Sequence, residues 1–386
     1  MVAAITWLDA SSEDQRRMQD IIRLFEQRDS RDELGLSQFR DAFSDGLFPG
    51  TSTLHTRARY FLFISWAFSM AGGKPNSSDR ARRNEWATID ALKSAEDKAG
   101  LLGAEAGRAL KRLPSSVYWP AMATYEIVSD APDNSDPNTP HVWHPGLPER
   151  PEGFPNSIPE GFAMGFEEAS WLRERMVSNA PDRLLNHLLF NPPGEESKAP
   201  WEDPVAQRAQ GEAKKRLDLA ATFSEVMHGA QLLYNVMLAE EYESYGLEGA
   251  SYPADGYSGR LAEWVERVST SYRPSEDLAY EIRAEVDGIR SRPVNQFSFT
   301  FVREWFSLVA DMGPSDVVNH PGARELVTRR EKLAKGAQAR LGNKKRLATW
   351  GGASGAGRLT YRWTQVRRIL LDIHEGLARE GGEAVA

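Results

Sequence analysis

The chain contains no cysteine. This absence excludes disulfides, thiolate metal sites, iron–sulfur clusters and cysteine nucleophiles together. Long apolar runs are also missing, since the most apolar stretch, 60–71, has 12 residues, whereas a membrane-spanning helix needs about 20. The first residues become acidic before an apolar region of signal-peptide length develops. The sequence therefore predicts a cytoplasmic location and no contact with a membrane.

Signatures of common phosphate-processing and hydrolytic enzymes are absent too. The glycine-rich stretch 351–357 is followed by Arg358 and Leu359, whereas a P-loop needs lysine and then serine or threonine. The sequence has no Gly-x-Ser-x-Gly nucleophile elbow. A Glu-x-Lys fragment typical of restriction-type nucleases, Glu212 to Lys214, begins a predicted helix instead of lying on a strand. We predict no enzyme, no cofactor and no metal site, although an active site assembled from distant segments stays open.

Helical periodicity accounts for much of the chain. A long helix is predicted over 206–241, because apolar residues recur at spacings of four, three, four and three: Phe223, Met227, Ala230, Tyr234 and Met237. A similar stripe predicts a helix over 363–377, and a capping-box pattern predicts another over 12–28. We predict a mainly α, multi-helix protein of two or three domains with long proline-rich connecting loops.

Composition divides the chain into four segments. Residues 1–127 form a predicted mainly helical domain with balanced charge. Eight prolines between 130 and 160 exclude a continuous helix or central strand there, so 128–205 is predicted to be a proline-rich linker region with short helices. Residues 206–323 form a predicted acidic helical middle domain, and 324–386 a basic C-terminal helical region.

Positive charge is concentrated near the end of the chain. Residues 324–368 contain 13 Lys or Arg and two Glu, a surplus of 11 positive charges. The whole chain carries −8, so the remainder carries −19. Such a segment within an acidic protein indicates an anionic partner, and phosphate is the leading candidate.

This basic segment supplies the predicted nucleic-acid-binding residues. The cations expected to neutralise backbone phosphates are Arg340, Lys344, Lys345, Arg346, Arg358, Arg362 and Arg368. Trp350 or Tyr361 is expected to stack on an unpaired base, and amides of the loop 351–357 are expected to coordinate a phosphate oxygen.

A second group of candidates lies in the first segment. Thr53, His55, Arg57 and Arg59 precede the apolar run and suit phosphate contacts. An alternative role for the two arginines is to brace the first domain by pairing with two nearby acids, Asp41 or Asp45.

Three blocks of the sequence resemble a known family. GLFPGTSTLHTRARYFLFISW, ALKRLPSSVYW and NKKRLATWGGASGAGRLTYRW are similar to recurring blocks of an uncharacterised bacterial family, domain of unknown function six-three-six-one. The family has no assigned activity. The resemblance implies similarity to proteins encoded beside helicases and phospholipase-D-like nucleases in phage-defence loci, and hence helicase or nuclease subunits as partners.

Two functional hypotheses follow. The first is a non-catalytic, nucleic-acid-binding component of a bacterial anti-phage defence or DNA-processing complex, with DNA as the expected ligand. The second is a protein–protein adaptor or scaffold subunit, whose basic region docks an acidic partner or the acidic middle of its own chain. Residues 128–323 carry a net charge of −16, which makes internal docking physically reasonable.

Overall fold

The computed structural model describes residues 32–72, 77–104, 110, 112–129, 142–194, 196–251 and 256–379. These residues form 14 α-helices and one two-stranded antiparallel ribbon, in which Val128 pairs with Trp143. The protein is therefore mainly α and multi-helix, which confirms the predicted fold class. The helix predicted over 12–28 lies outside the described residues.

The helices are numbered in chain order. They are α1 (Ser37–Leu47), α2 (Tyr60–Ser69), α3 (Ser77–Leu92), α4 (Pro114–Thr124), α5 (Phe166–Asn179), α6 (Leu184–Phe190), α7 (Gly211–Ser244), α8 (Gly256–Ser271), α9 (Glu276–Ile289), α10 (Gln296–Met312), α11 (Pro314–Val317), α12 (Pro321–Lys335), α13 (Lys344–Leu347) and α14 (Trp363–Leu377). The strands are β1 (Val128–Ser129) and β2 (Val142–Trp143), between α4 and α5. Short 3-10 turns cover Pro200–Glu202, Ala206–Arg208 and Gly336–Gln338.

The chain divides into two compact units. The first unit combines the described residues up to Asp41 with Leu219–Leu359, and the second combines Ala42–Asp218 with the residues from Thr360 onward. These divisions differ from the composition boundaries at 127, 205 and 323, because each unit is assembled from segments that are distant in sequence. The basic segment is shared: its cations up to Arg358 belong to the first unit, and those from Arg362 belong to the second.

Helix α7 forms the core of the first unit. Four of the five residues in its predicted apolar stripe are fully buried: Phe223, Met227, Ala230 and Tyr234. Two buried tryptophans bind to α7 through their ring N–H groups: Trp264 of α8 donates to the Glu225 carbonyl (2.7 Å), and Trp305 of α10 donates to the Val226 carbonyl (2.9 Å). Gly229 permits this approach, since a Cβ there would lie 2.2 Å from the Trp264 ring. Helix α10 also packs against α9 and α12.

The second unit is built on α2 and α14. The apolar stretch 60–71 begins with helix α2, which is buried along most of its length and packs against α3 and α4. Helix α14 packs against α5 and α6, and its predicted stripe is buried at Trp363, Val366, Leu370 and Ile373. Residues 144–165 in the proline-rich region contain neither helix nor strand.

Candidate nucleic-acid interface

Two cations of α12 face acids of the first unit. Arg324 donates two hydrogen bonds to the Glu240 carboxylate of α7, at 2.6 and 3.0 Å. Arg329 pairs with Glu304 of α10. Both acids come from the acidic middle of the sequence, so part of the basic segment is paired internally. Because these side chains are partly exposed, each pair contributes at most about 1 kcal/mol.

A fully buried carboxylate, Glu331, organises the end of α12. It accepts hydrogen bonds from the Tyr234 hydroxyl (2.6 Å) and from the backbone N–H groups of Arg340 (2.8 Å) and Leu341 (3.0 Å). Burial raises the pKa of Tyr234, and the negative charge of Glu331 raises that pKa further. Glu331 thereby fixes the chain that follows α12, because a buried carboxylate needs such donors.

A second buried acid, Glu33, binds two cations of the basic segment. Arg340 donates to its Oε2 atom at 3.1 Å, and Lys335 pairs with it as well. Burial alone would raise the pKa of Glu33, but the Lys335 hydrogen bond and the positive charge of Arg340 outweigh burial and lower it. Arg340 was predicted to contact phosphate, but its guanidinium is committed to this internal acid.

Arg358, another predicted phosphate contact, is also paired inside the first unit. Its Nη1 lies 2.7 Å from Glu225 Oε1, while Arg267 Nε lies 2.8 Å from the other oxygen. Burial would raise the pKa of Glu225, but the charge of Arg358 and the hydrogen bond from Arg267 lower it. His228 Nε2 lies 3.0 Å from the Ala356 carbonyl, and burial lowers the pKa of His228 to about 4. The pattern is that of a structural ion-pair network.

The glycine-rich loop 351–357 packs against α7. Asn235 holds Ser354 by accepting from its N–H (2.9 Å) and donating to its carbonyl (2.8 Å). Tyr257 donates to the Gly352 carbonyl at 2.6 Å. Gly352 has φ +98°, and a Cβ there would lie 1.8 Å from the Ser251 carbonyl oxygen. The prediction that this loop coordinates a phosphate is therefore corrected. The Ser354 N–H is already hydrogen-bonded, and Gly352 is needed because the backbone of Ser251 lies too close for a side chain.

Both aromatic candidates for base stacking are buried. Trp350 is 3 % exposed and lies against Tyr242, with ring centroids 5.7 Å apart. Tyr361 is 2 % exposed and contacts Phe43 and Trp201 of the second unit, at centroid distances of 5.6 and 5.9 Å. Neither ring offers an open face, so the stacking role expected from the sequence is corrected for both.

The remaining cations of the predicted site lie in the second unit. Arg362 donates to Asp45 Oδ1 and to the Thr51 carbonyl, both at 2.7 Å. Arg368 donates to Asp372 Oδ1 one turn along α14, at 2.5 Å. The charge of both residues is thus balanced within the unit.

The two arginines among the secondary candidates are also paired with acids inside the second unit. Arg57 Nε donates to the buried Asp372 carboxylate at 3.0 Å, and its Nη1 donates to Asp97 at 2.5 Å. Arg59 donates to Glu168 at 2.7 Å. The alternative in which both arginines brace the domain is the correct one. The predicted acids, Asp41 or Asp45, were wrong, because the partners come from segments distant in sequence.

His55 and Thr53 have opposite environments. His55 is 1 % exposed and stacks on Tyr118 with centroids 4.2 Å apart, and burial lowers its pKa to about 4. It is therefore a core residue and not a phosphate contact. Thr53 is exposed on the loop before α2.

Three predicted cations remain exposed, and they are consecutive. Lys344, Lys345 and Arg346 form most of the one-turn helix α13, which Asn343 caps by accepting from the Arg346 N–H (3.3 Å). Lys344 donates to the Tyr245 carbonyl at 3.2 Å, and its Nζ lies 5.4 Å from that ring centre. Within the described residues, Lys345 and Arg346 make no side-chain hydrogen bond or ion pair.

The nuclease-like fragment is a surface helix feature. Lys214 donates to Asp218 one turn later on α7, at 2.6 Å, and both side chains are partly exposed. The i, i+4 spacing explains this pair without a catalytic role. In the part of the chain that the structure describes, no group of three or more His, Asp or Glu is placed to hold a metal ion.

The fold and the site define a mainly α-helical protein whose basic segment is largely paired internally and includes one exposed cationic turn. The chain belongs to the Family of unknown function (DUF6361), whose model matches residues 2–376. Comparisons with curated proteins and with solved structures find no match. Among the described residues, no helix is both long and apolar enough to cross a membrane.

Proposed function

We propose that this protein is a non-catalytic component that binds the phosphate backbone of nucleic acid, DNA in the first instance, through α13. In this proposal it works within a bacterial anti-phage defence or DNA-processing assembly in the cytoplasm, alongside helicase or nuclease subunits. The observation that carries the proposal is the exposure of three consecutive cations, Lys344, Lys345 and Arg346, on one short turn.

The proposed interface is smaller than the sequence suggested. Arg340, Arg358, Arg362 and Arg368 already bind acids, so moving them to phosphate would leave carboxylates, several of them buried, unpaired. Three phosphate contacts correspond to sequence-independent binding that weakens with salt, with a dissociation constant of about 10⁻⁶ to 10⁻⁴ M at physiological salt.

The test is the salt dependence of binding to a labelled duplex of about 30 base pairs, measured by fluorescence anisotropy from roughly 50 to 200 mM salt. The variant K344A/K345A/R346A is expected to reduce the slope of log K against log salt by about 2.7, or 0.9 for each phosphate that is no longer neutralised. The control R150A/K198A/R208A removes three exposed cations elsewhere. It is expected to keep the wild-type slope, and an α13 variant with the wild-type slope would refute the site.

A protein–protein adaptor is the second candidate. Its specific support is that Arg324, Arg329 and Arg358 pair with acids from 128–323, as the internal-docking form of that hypothesis requires. The adaptor predicts no retardation of DNA in a gel shift even at low salt. Retardation that depends on α13 would decide against it.

A further inference from the structure

A second group of uncovered cations lies on α3, outside the basic C-terminal segment. Arg80, Arg82 and Arg83 are exposed and make no side-chain hydrogen bond or ion pair within the described part of the chain. The nearby Glu85 is turned inward, where Ser115 donates to it from its backbone N–H (2.8 Å) and its hydroxyl (2.9 Å). The three arginine side chains therefore face solvent, while Glu85 does not. Burial raises the pKa of Glu85, and the Ser115 hydrogen bonds and the charge of Arg82 lower it in part. The exposed acid Asp90 of the same helix pairs with Lys93.

An open groove continues from these arginines along α3, with a volume of about 570 Å³. Its lining on α3 includes Arg83, Trp86 and Asp90, and Asn156 contributes from a loop of the same unit. Residues three and four apart share one helix face. Arg80 lies one turn before Arg83 and thus extends the cationic end of the groove.

The chemistry of this surface fits phosphodiesters. A guanidinium presents a planar fork of donors that matches phosphate oxygens, and it binds them in pairs more readily than lysine does. The groove is of the size that small-molecule sites have, about 300 to 1,000 Å³. It has space for one unpaired base, and the Asn156 amide offers a hydrogen-bonding group inside it. Asp90, which also lines the groove, is paired with Lys93 at 2.8 Å.

We propose that α3 binds single-stranded nucleic acid, with backbone phosphates on Arg80, Arg82 and Arg83 and one base in the adjoining groove. This surface belongs to the second unit, whereas α13 belongs to the first, so the inference does not rest on the function proposed for α13. A single strand fits better than a duplex, because only an unpaired base can leave its stack to enter a groove.

The experiment uses the full chain and a labelled single strand of about 30 nucleotides, longer than the 4 to 16 nucleotides that one such surface contacts. The variant R80A/R82A/R83A is expected to lower the salt slope by about 2, or 0.7 for each phosphate contact on a single strand. R83A alone is expected to lower it by about 0.7. The charge-matched control R150A/K198A/R208A is expected to keep the wild-type slope.

A groove variant separates base binding from charge. Ser94 lines the groove and is exposed, so S94F fills it without entering the core. This variant is expected to weaken single-strand binding about tenfold at fixed salt, which corresponds to the contribution of one bound base, and to leave the slope unchanged. Duplex binding is expected to change little.

Several outcomes would overturn the proposal. An unchanged salt slope for R80A/R82A/R83A would show that α3 does not contact the strand. An equal reduction in the control variant would show that the slope depends only on the net charge of the protein. Binding of polyglutamate in preference to the oligonucleotide would indicate an acidic protein partner instead. A single-strand slope that is reduced only in K344A/K345A/R346A refutes α3, and one that is reduced only in R80A/R82A/R83A supports α3 whatever the duplex test of α13 shows.

Discussion

The cations of the basic C-terminal segment and the cations of α3 differ in whether the fold brings an acid to them. Along residues 324–368 the sequence has 13 Lys or Arg, but seven of them pair with acids: Arg324, Arg329, Lys335, Arg340, Arg358, Arg362 and Arg368. On α3 there are only three arginines, and all three are exposed without an ion pair among the described residues. Charge density along a chain therefore does not predict the charge of the folded surface.

The difference has a simple geometric origin. Glu240, Glu304 and Glu225 come from helices that pack around α12 and the loop after it, so each meets an arginine from the basic segment. On α3, Glu85 occupies the inward face and binds Ser115 instead. Coulomb attraction acts on the neighbours that folding supplies, and these are seldom neighbours in sequence.

The largest expected effect concerns the buried acid of the basic segment. E331Q removes the charge that holds Tyr234 and the backbone after α12, and it leaves Lys335 with one fewer partner. We expect the free energy of unfolding to fall by about 3 to 5 kcal/mol, because one member of a buried charge network is removed. Urea denaturation followed by circular dichroism measures it.

The matched control is E325Q, an exposed acid on the same helix. Its effect should stay within about 0.5 kcal/mol, as for most surface substitutions. If both variants were equally stable, the internal pairing of the basic segment would not support the fold.

The next effect is a dependence on pH that both units share. Burial lowers the pKa of His228 and of His55 to about 4, below the usual 6.5. Between these values the unfolded chain binds protons that the folded chain does not, so stability is full above pH 6.5 and declines as the pH falls toward 4. Each histidine accounts for about 3 kcal/mol of this decline.

Unfolding titrations at several pH values measure this decline. H228Q and H55Q should each flatten it, one in each unit. H320N keeps an acceptor at the start of α12, where His320 accepts from the Gly322 N–H, and serves as the control with the wild-type profile. A wild-type decline in either glutamine variant would show that the corresponding histidine is not responsible.

A smaller effect on DNA binding is expected when the acids that pair with two partly exposed arginines are neutralised. E240Q/E304Q uncovers Arg324 and Arg329, so we expect the salt slope of duplex binding to steepen by about 2. Stability should fall by at most about 1 kcal/mol for each exposed pair. E243Q/E325Q removes two exposed acids and should leave the slope unaltered; an equal change in both variants would indicate a general charge effect.

The smallest expected effect is on the stability of α3. Since Arg80, Arg82 and Arg83 bind no acid in the described structure, R80A/R82A/R83A should change the free energy of unfolding by only about 0.5 kcal/mol. Thermal unfolding measures it. A decrease of several kcal/mol would mean that these arginines support the fold and are not a free surface.

The sequence predicted helices better than it predicted the site. The stripes of α7 and α14 were found because a period of three to four residues marks a helix face directly. The exposed turn Lys344 to Arg346 was also among the predicted residues. The burial of Trp350 and Tyr361 was not found, since composition cannot tell a core aromatic ring from an exposed one.

The arginines of α3 were missed for a related reason. They lie in a stretch whose overall charge is balanced, so a count over 1–127 concealed them. The local signal was present in the run Arg80-Ala81-Arg82-Arg83. A window of four residues would have found it, although only the folded structure shows that the three arginines are exposed and that Glu85 binds Ser115 instead.

The sequence by itself determined the mainly α-helical class, the long core helix and the family of this protein, because each depends on local periodicity or on residue blocks that can be read in order. Only the tertiary structure decided which cations face solvent. Arg340 and Lys335 meet Glu33 from the opposite end of the chain, and pairing at that sequence distance depends on the packing of helices, which no local pattern encodes.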